Sequence, residues 1–284
     1  MSKVIVFGAN GMAGHVIVKH LKHVGHSVTT VARNNADVWI DIKNKDQLNH
    51  FIFNKISGCD FIINCIGMLV KDSETNPSDA IYVNSWFPHH LKKACESTKR
   101  KLIHISTDCV FSGDDGGYNE SSIKDGRGMY AQSKALGEVI NNTDLTIRTS
   151  IIGPELKNNG TGLFHWFMNQ TEPVNGYTNV FWGGVTTLEL AYFINWAMNT
   201  NITGLCHLTN NERISKYNLL NLIKTNVQYN TEILPVTTAF CDKSIVNTRT
   251  DVSEYIVPTY DSMIFKMIEY MKENRNLYSN YKID

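Results

Sequence analysis

The stretch KVIVFGANGMAG, residues 3–14, decides the fold class of this 284-residue chain. Val4–Phe7 is a short apolar run typical of a buried strand, and the apolar periodicity of Met12–Val24 predicts a helix. Glycines occupy the turn between them, where a diphosphate can reach the free amides of the helix N-terminus only if no side chain blocks its approach. This placement predicts a dinucleotide-binding loop. Its glycines are Gly8, Gly11 and Gly14.

The sequence beyond the glycine loop alternates between apolar runs of strand length and segments of helix length. A second strand is predicted at Ser27–Ala32, and three nearly continuous apolar runs predict buried parallel strands. Those runs are Phe61–Ile66, Leu102–Ser106 and Leu145–Thr149. The segments Asp79–Ser97 and Met129–Ile140 are predicted to be helices between strands. Parallel strands joined by right-handed helical crossovers form an α/β fold with a doubly wound parallel sheet, the Rossmann fold.

The periodicity loosens beyond residue 150. Residues 1–150 are therefore predicted to form a dinucleotide-binding domain, and residues 151–284 a smaller substrate-binding portion, of which a part near residues 180–210 returns to the sheet. One strand is predicted in this half, at Leu205–Leu208. Four helices are also predicted, at Leu163–Gln170, Thr187–Met198, Tyr217–Lys224 and Asp261–Glu273. The polar residues Lys272–Asp284 are expected to lie on the surface.

Composition excludes several classes of protein. Lys plus Arg and Asp plus Glu each total 27, so no net charge draws the chain to nucleic acid or to an acidic membrane. No apolar run approaches the ~20 residues of a membrane span, and the N-terminus lacks the phases of a secretory signal. The six cysteines are scattered, and the histidines between His15 and His26 lack acidic or cysteine partners, so we expect reduced thiols and no bound metal. A cytoplasmic protein is expected, and a homodimer is compatible with the sequence.

The end of the second predicted strand indicates which dinucleotide is preferred. An acidic residue in this region would bind the ribose hydroxyls of NAD, but this chain has Arg33 there. A guanidinium can pair with the 2′-phosphate of NADP, which favours NADP(H) as cofactor. NAD(H) stays open, because a solvated surface arginine is the alternative for Arg33. Asp41, after the run Val38–Ile40, is a candidate neighbour of the adenine.

Tyr130 and Lys134 are four residues apart in MYAQSKALGE, so they project from one face of the predicted helix. The spacing alone is a weak signal, since Tyr278 and Lys282 repeat it in the polar tail. Context distinguishes the first pair, because the preceding strand runs into Thr107 at the carboxyl edge of the sheet, where ligands of such folds bind. We expect the lysine to lower the pKa of the phenol, which could then exchange a proton with a substrate while Thr107 bonds the same oxygen.

These motifs together resemble an extended short-chain dehydrogenase/reductase, and within that superfamily the chain is most similar to the dTDP-4-dehydrorhamnose reductase family. The likeness rests on GANGMAG, STDCVF at Ser106–Phe111, YAQSK at Tyr130–Lys134 and RTSIIG at Arg148–Gly153, which occur in order and cover nearly the whole chain. The resemblance implies NADPH-dependent reduction of the 4-keto group of a nucleotide-linked 6-deoxy-4-ketohexose, in deoxysugar and surface polysaccharide biosynthesis. Hydride would pass to the ketone carbon while Tyr130 protonates its oxygen.

The resemblance also completes the predicted site. The catalytic residues would be Thr107, Tyr130 and Lys134, with Lys134 also holding the nicotinamide ribose. Besides Tyr130 and Lys134, the predicted cofactor contacts are Gly8, Asn10, Gly11, Met12, Gly14, Arg33, Asp41, Cys65, Ile66, Gly67 and Asn84. The predicted contacts with the sugar nucleotide are Asp108, Val110, Trp182, Val185, Lys243 and Arg249. A core position for Trp182 and a solvated position for the last two charges are the alternatives.

The chain departs from related families in ways that bear on its substrate. The related 4,6-dehydratases use a Thr-Asp-Glu run, and Cys109 replaces the glutamate here, which removes a proton-transfer group that elimination needs. Cys109 and the segment NCIGMLV, residues 64–70, also differ from rhamnose-type reductases, so another nucleotide-linked 6-deoxy-4-ketohexose, such as an N-acetylated one, is an alternative substrate. Two other functions stay open: a sugar-nucleotide epimerase that retains NAD, and a non-catalytic dinucleotide-binding regulatory subunit.

Overall fold

The glycine loop follows a central strand of a seven-stranded parallel sheet in a computed structural model that describes residues 1–283. The strands are β1 (Lys3–Phe7), β2 (Ser27–Ala32), β3 (Val38–Trp39), β4 (Phe61–Asn64), β5 (Lys101–Thr107), β6 (Leu145–Thr149), β7 (Ile151–Ile152), β8 (Val174–Tyr177), β9 (Val180–Trp182), β10 (Val185–Thr186), β11 (Gly204–His207), β12 (Ile214–Ser215), β13 (Ile233–Val236) and β14 (Cys241–Asp242). The helices are α1 (Gly14–His23), α2 (Lys45–Lys55), α3 (Val70–Thr75), α4 (Pro77–Ala80), α5 (Phe87–Thr98), α6 (Gly128–Leu136), α7 (Leu163–Phe167), α8 (Thr187–Met198), α9 (Lys216–Val227) and α10 (Tyr260–Glu273).

The strand order of the central sheet is β11-β6-β5-β4-β1-β2-β3, and every neighbouring pair is parallel. The order reverses at β1, because β2 and β3 extend the sheet on one side while β4, β5 and β6 extend it on the other. In open α/β sheets a ligand crevice forms outside the carboxyl ends of the strands at such a reversal. The predicted doubly wound parallel sheet is confirmed, and the glycine loop lies at the crevice because it directly follows β1.

Alternate residues of the buried strands pack into two cores, one on each face of the sheet. Val4 and Val6 of β1 belong to the larger core, which includes α1 and α8, whereas Ile5 and Phe7 belong to the core beneath α2 and α5. Side chains along a strand point to opposite faces, so a strand covered by helices on both sides is apolar at every position. This two-sided burial explains why the first strand is a continuous apolar run.

Helix α6 ends earlier than its periodicity predicts. The predicted helix extends to Ile140, but α6 ends at Leu136, and Gly137 follows. A β-carbon at Gly137 would lie 1.8 Å from the carbonyl oxygen of Asn84, which belongs to a π-helical turn, Ile81–Trp86, between α4 and α5. Gly137 therefore allows the two helical segments to approach each other. The sequence analysis also missed α2, whose N-terminus is capped by Asn44 through a 3.1 Å hydrogen bond from the Gln47 amide.

The second half of the chain contributes to both the sheet and its cover. Strand β11 pairs with β6, and α8 packs on α1. Three small sheets lie outside the central one, with orders β10-β7, β12-β9-β14 and β13-β8. The division at residue 150 stays a prediction, and α8 and β11 are the elements near residues 180–210 that pack with the first half. None of the helices within residues 1–283 has the length and apolar character that a membrane span requires.

The surface position predicted for Lys272–Asp284 is wrong for two of its tyrosines. Tyr278 is 2% exposed and Tyr281 is 7% exposed. The Tyr278 hydroxyl lies 3.0 Å from Nε2 of His15 in α1, and the Tyr281 hydroxyl lies 2.8 Å from Nδ1 of His165 in α7. Partners distant in the sequence thus allow these phenols to be buried. Asp284, the last residue of the predicted segment, lies outside the described residues.

A buried ion pair braces the carboxyl half of the sheet. Glu138 accepts hydrogen bonds from Arg148 at 2.8 and 2.7 Å and from the Ser106 hydroxyl at 2.8 Å. The remaining Arg148 nitrogen lies 2.8 Å from Nε2 of His207. Since a guanidinium only donates, Nε2 accepts and the other ring nitrogen donates to the Val246 carbonyl at 3.0 Å. Burial, together with the Arg148 charge, lowers the pKa of His207 to about 4, so the ring is neutral.

Substitution Glu138→Gln is expected to lower the free energy of unfolding by roughly 3 kcal/mol at neutral pH, because it leaves the buried Arg148 guanidinium without a counter-charge. Burial acts to raise the pKa of Glu138, but the hydrogen bonds and charge of Arg148 outweigh it and hold the pKa below its ordinary value. A lowered carboxyl pKa stabilises the fold above the unfolded-state pKa, and the stabilisation is lost as pH falls through the folded-state value. The difference between variant and wild type in urea titrations should therefore shrink below about pH 4.

The control is Glu96→Gln, which breaks an exposed pair with Lys92 at 2.7 Å and should change the urea midpoint little. Equal losses in the two variants would contradict a special contribution from the buried pair.

Candidate active site

The glycine loop brings the start of α1 against the end of β1. Gly8 has φ +77°, a left-handed conformation that glycine adopts without strain, and its amide donates to the Val31 carbonyl at 2.9 Å. A β-carbon at Gly14 would lie 2.1 Å from the Gly8 carbonyl oxygen. No side chain caps α1, because its cap residue is Ala13. The uncapped amides and the missing side chains fit the diphosphate of a dinucleotide.

A cleft of about 520 Å³ opens beside this loop at the point where the strand order reverses. Eight of the predicted cofactor contacts line it: Gly8, Asn10, Gly11, Arg33, Asp41, Cys65, Ile66 and Gly67. Two others do not line it: Gly14 packs against the Gly8 carbonyl, and the Met12 sulfur lies near Gly162. Asn10 donates to the Asn34 carbonyl at 2.6 Å and so ties the glycine loop to the loop after β2.

Two cations stand at the β2 end of the cleft. Arg33 lines the wall, and so does Lys43, which the sequence analysis missed. Lys43 forms an exposed 2.8 Å ion pair with Asp79, and this partner raises the pKa of its ammonium. The Arg33 charge acts on Lys43 in the opposite direction, as expected for neighbouring cations. This end of the cleft therefore offers two cations to a phosphate group, beside the carboxylates of Asp41 and Asp79, which also line it.

Asn84 does not line the cleft itself, but it forms hydrogen bonds with Met68, which does. It is completely buried, accepts a hydrogen bond from the Met68 amide at 2.8 Å and donates to the Met68 carbonyl at 3.1 Å. It also donates to the hydroxyl of Ser133 in α6 at 3.1 Å. These contacts make Asn84 a positioning residue for the Cys65–Gly67 wall, and a direct contact with a cofactor stays a prediction.

The three predicted catalytic residues meet where β5 ends. Thr107 is the last residue of β5; its hydroxyl accepts from the Cys109 amide at 3.1 Å and lies close enough to the Tyr130 phenol to act on the pKa of that phenol. Lys134 follows one helical turn after Tyr130 in α6 and donates to the Ile105 carbonyl at 2.8 Å. A strand end and one helix face thus place a phenol, an alcohol and an ammonium at the carboxyl edge of the sheet.

Burial controls the protonation of these groups. It raises the pKa of Tyr130, and the nearby Thr107 hydroxyl offsets this rise only in part. Burial also lowers the pKa of Lys134 to about 8, although the charge of Glu138 acts to raise it. The expectation that the pKa of the phenol is lowered is therefore wrong, because desolvation of the phenolate outweighs the other effects and Lys134 is not among the groups that act on it. The phenol is protonated at neutral pH, as a proton donor must be.

Helix α6 is held by contacts that the sequence analysis did not find. Glu74 of α3 accepts from the Met129 amide at 2.7 Å and from the Tyr130 amide at 3.4 Å, at the helix N-terminus where a carboxylate is favourable. Ser85 donates to the Ser133 carbonyl at 2.7 Å. Glu74 and Ser85 belong to other helices, so no local pattern could have revealed their contacts.

The predicted substrate contacts do not all reach one region. Asp108 and Lys243 lie near the end of β5: Asp108 accepts from the Thr107 hydroxyl at 3.2 Å, and the charge of Lys243 acts on Cys109. Trp182 is 4% exposed and belongs to the larger apolar core, which is the alternative given for it above.

The structure does not bring the other three predicted substrate contacts to this region. Val110 and Val185 are 1% and 0% exposed and pack in apolar cores, so their side chains have no free surface for a sugar. Arg249 pairs with Asp251 and donates to the Thr203 and Leu205 carbonyls, at 2.5 and 2.8 Å. It therefore clamps the amino end of β11, at the edge of the sheet opposite the cleft.

No group of three or more side chains within residues 1–283 has the arrangement of a metal site.

Comparison with known proteins gives a family match and a matching fold. Residues 2–250 match the family model described as RmlD substrate binding domain. A dTDP-4-dehydrorhamnose reductase of Mycobacterium tuberculosis (strain CDC 1551 / Oshkosh) is 30% identical over 142 residues, which cover 48% of this chain and 44% of that protein. A dTDP-4-dehydrorhamnose reductase of Mycolicibacterium smegmatis is 32% identical over 140 residues, 48% of this chain and 40% of that protein. The matched region thus spans less than half of either relative.

The crystal structure of dTDP-4-dehydrorhamnose reductase from Bacillus anthracis in complex with NADP has a TM-score of 0.81 to this chain. The superposition covers 95% of this chain and 99% of that one, at 22% identity. At this identity the likeness concerns the fold.

Substitution Gly14→Ala is expected to weaken NADPH binding roughly tenfold or more, because the new β-carbon would push α1 away from the Gly8 carbonyl and displace the helix amides. Gly58→Ala is the matched control, since no atom lies within 4 Å of a β-carbon added there. Titration of NADPH fluorescence measures both affinities. Unchanged binding by Gly14→Ala would show that the loop does not hold the diphosphate.

Proposed function

The chain belongs to the family described as RmlD substrate binding domain, and we propose from this premise that it is an NADPH-dependent oxidoreductase. Its proposed reaction is reduction of the 4-keto group of a dTDP-linked 6-deoxy-4-ketohexose in deoxysugar and surface polysaccharide biosynthesis. The observation that carries the proposal is the meeting of Thr107 and Tyr130 at the carboxyl end of β5, with Lys134 one turn away in α6. The names of the two mycobacterial relatives support the substrate class.

The cleft residues account for cofactor binding. The glycine loop would hold the diphosphate, and Arg33 with Lys43 would hold the 2′-phosphate that distinguishes NADP from NAD. When bound, the nicotinamide supplies the hydride. The NADP in the Bacillus anthracis structure supports this choice of cofactor.

Tyr130 is proposed to act as the general acid. Its protonated phenol donates a proton to the ketone oxygen, and the Thr107 hydroxyl donates a hydrogen bond to the same oxygen as negative charge develops. Lys134 stabilises the phenolate that results and holds the nicotinamide ribose. Since burial lowers the pKa of Lys134 to about 8, the ammonium form predominates at neutral pH but lies close to its titration range.

Asp108 and Lys243 are proposed to face the sugar nucleotide, because they lie near the end of β5 beside Thr107. The proposal leaves open which hexose is the substrate, and an N-acetylated one is an alternative. A screen of dTDP-linked ketosugars identifies it. Val110, Val185 and Arg249 are left out of the proposed site.

Substitution Tyr130→Phe is expected to lower kcat by about 10²–10⁴-fold with a dTDP-4-keto-6-deoxyhexose, because it removes the proton donor. NADPH affinity should remain near that of wild type, since the ring is kept. Tyr177→Phe in β8 is the control, because this tyrosine is exposed and does not line the cleft. NADPH oxidation at 340 nm measures turnover. Near-normal turnover by Tyr130→Phe would overturn the assignment.

The same assays separate the two alternative functions. NAD that stays bound through purification, with interconversion of sugar epimers, would favour an epimerase. An absence of NADPH oxidation with every ketosugar, together with stable association with another enzyme, would favour a regulatory subunit.

Substitution Arg33→Ala is expected to reduce the preference for NADPH over NADH roughly tenfold, because one of two cations at the phosphate end of the cleft is lost. The ratio of kcat/KM for the two cofactors measures this effect. Arg275→Ala, an exposed arginine after α10, serves as the charge-matched control. An unchanged ratio would assign Arg33 to the solvated surface.

A further inference from the structure

The loop of residues 155–162 that follows β7, the β7 loop, brings a third cation to the cofactor cleft. Lys157, which the sequence analysis assigned to no site, lines this cleft together with residues of the glycine loop and of the Cys65–Gly67 wall. Residues 156–159 are exposed, so the tip of the loop is in contact with solvent. The Lys157 ammonium can therefore move toward a ligand in the cleft without repacking of the core.

A carboxylate holds the base of the β7 loop closed. Glu155 accepts hydrogen bonds from the Thr161 amide at 2.8 Å and from the Gly162 amide at 2.7 Å. A β-carbon at Gly160 would lie 2.7 Å from the same carboxylate oxygen, so glycine leaves room for this contact. At the tip of the loop, the Gly160 amide donates to the Lys157 carbonyl at 3.3 Å and closes a turn. These contacts restrain the backbone of Lys157.

The base of the β7 loop lies against the glycine loop. A β-carbon at Gly162 would be 3.0 Å from the sulfur of Met12, which belongs to the glycine loop. The Glu155 amide donates to the Tyr281 hydroxyl at 2.9 Å, and Tyr281 is buried in the larger core, so the base of the loop is anchored there. Lys157 follows Glu155 by two residues and therefore lines the cleft near the predicted diphosphate site.

The charges that line the cleft show what this lysine contributes. Among the described residues of the cleft, three cations are balanced by three carboxylates. The cations are Arg33, Lys43 and Lys157, and the carboxylates are Asp41, Asp72 and Asp79. The cleft as a whole therefore does not attract an anion, and the attraction of an anion depends on where each cation lies.

The diphosphate of a dinucleotide is the anionic group to which no cation has yet been assigned. The glycine loop GANGMAG contains no charged side chain, so α1 offers the diphosphate only its amides and its dipole. Arg33 and Lys43 stand at the β2 end of the cleft and are assigned to the 2′-phosphate. A lysine ammonium on its flexible stem can donate to oxygens of both phosphates, and such charge-assisted hydrogen bonds are of the stronger kind.

We propose that Lys157 binds the diphosphate of the dinucleotide, beside the amides of α1, and is thus a further cofactor-binding residue. This inference rests on the proposed function for the presence of a dinucleotide in the cleft. The diphosphate is common to NADPH and NADH, whereas the 2′-phosphate belongs to NADPH alone. Lys157 therefore contributes equally to the affinity for both cofactors, in contrast to Arg33, which contributes to the preference between them.

The test compares Lys157→Gln with wild type by titration of NADPH and NADH fluorescence. The dissociation constants of both cofactors should rise about tenfold, because one hydrogen bond to a charged group is lost, and their ratio should stay the same. Lys157→Arg keeps the charge and should retain most of the affinity. Lys55→Gln is the control, since Lys55 is exposed and does not line the cleft. The melting temperatures should match that of wild type, because both positions are exposed.

Salt and a smaller ligand distinguish a contact with the diphosphate from a contact elsewhere. The loss of affinity in Lys157→Gln should shrink as ionic strength rises, because the ammonium is exposed to solvent. In competition with NADPH, 2′-AMP, which has the 2′-phosphate but no diphosphate, should bind Lys157→Gln and wild type equally. A loss of affinity for NADPH and 2′-AMP but not for NADH would assign Lys157 to the 2′-phosphate and overturn the proposal. Equal affinities of the two proteins for both dinucleotides would also overturn it.

The same binding assays separate this inference from the proposed function. Since dTDP also carries a diphosphate, its affinity is measured by calorimetry, and it should be the same in wild type and Lys157→Gln. A loss of dTDP affinity with unchanged NADPH affinity would assign the lysine to the substrate and overturn the inference. Cofactor binding needs no ketosugar, so a wild type that binds NADPH but reduces no ketosugar contradicts only the proposed reaction. A wild type that binds neither dinucleotide contradicts both.

Discussion

The buried side chain of Asn84 joins the dinucleotide cleft to the catalytic helix. Its amide holds both backbone groups of Met68, behind the cleft wall, and donates to Ser133 in α6. Its own carbonyl lies so close to Gly137 that any β-carbon there would overlap it. Because the wall, the π-helical turn and α6 meet at one residue, a shift of any of them moves the others. Such turns are frequent at functional sites, and here the turn carries the residue that fixes the spacing between the cleft and Tyr130.

At the carboxyl edge of the sheet, burial favours the neutral form of the Tyr130 phenol and lowers the pKa of the Lys134 ammonium. The Glu138 carboxylate is neutralised by Arg148 and also holds Ser106, one residue before Thr107. The negative charge of Glu138 acts to raise the pKa of Lys134, but burial of the ammonium lowers that pKa by more. The same desolvation keeps Tyr130 protonated. The low-dielectric edge of the sheet therefore keeps Tyr130 protonated as a proton donor beside the Thr107 hydroxyl.

Local signals in the sequence revealed the parts of the site that depend on short-range chemistry. The glycine loop and the Tyr130 to Lys134 spacing are such signals, and the apolar runs identified the buried strands. Lys43 and Glu74 could not be found in this way, because each reaches the site from an element whose position depends on the whole fold. The early end of α6 depends on Asn84, which is far from Gly137 in the sequence, and the burial of Tyr278 depends on a partner 263 residues away. Arg249 is the opposite case. It was predicted to contact the substrate, but its guanidinium donates to carbonyls at the amino end of β11, at the opposite edge of the sheet.

The buried charged side chains of this chain differ in how many hydrogen-bond and ion-pair partners the protein gives them. A fully partnered charge is explained by the fold, and an incompletely partnered one points to a ligand. Arg148 has a bidentate carboxylate and a neutral histidine as partners, so the fold alone accounts for it. Lys134 has one backbone carbonyl as its hydrogen-bond partner within the described chain. Since an incompletely satisfied buried ammonium destabilises the folded state, stability gives no reason for Lys134 to be where it is. It lies at the carboxyl edge of the sheet, where the oxygen atoms of a ligand would supply the hydrogen bonds that the protein itself does not.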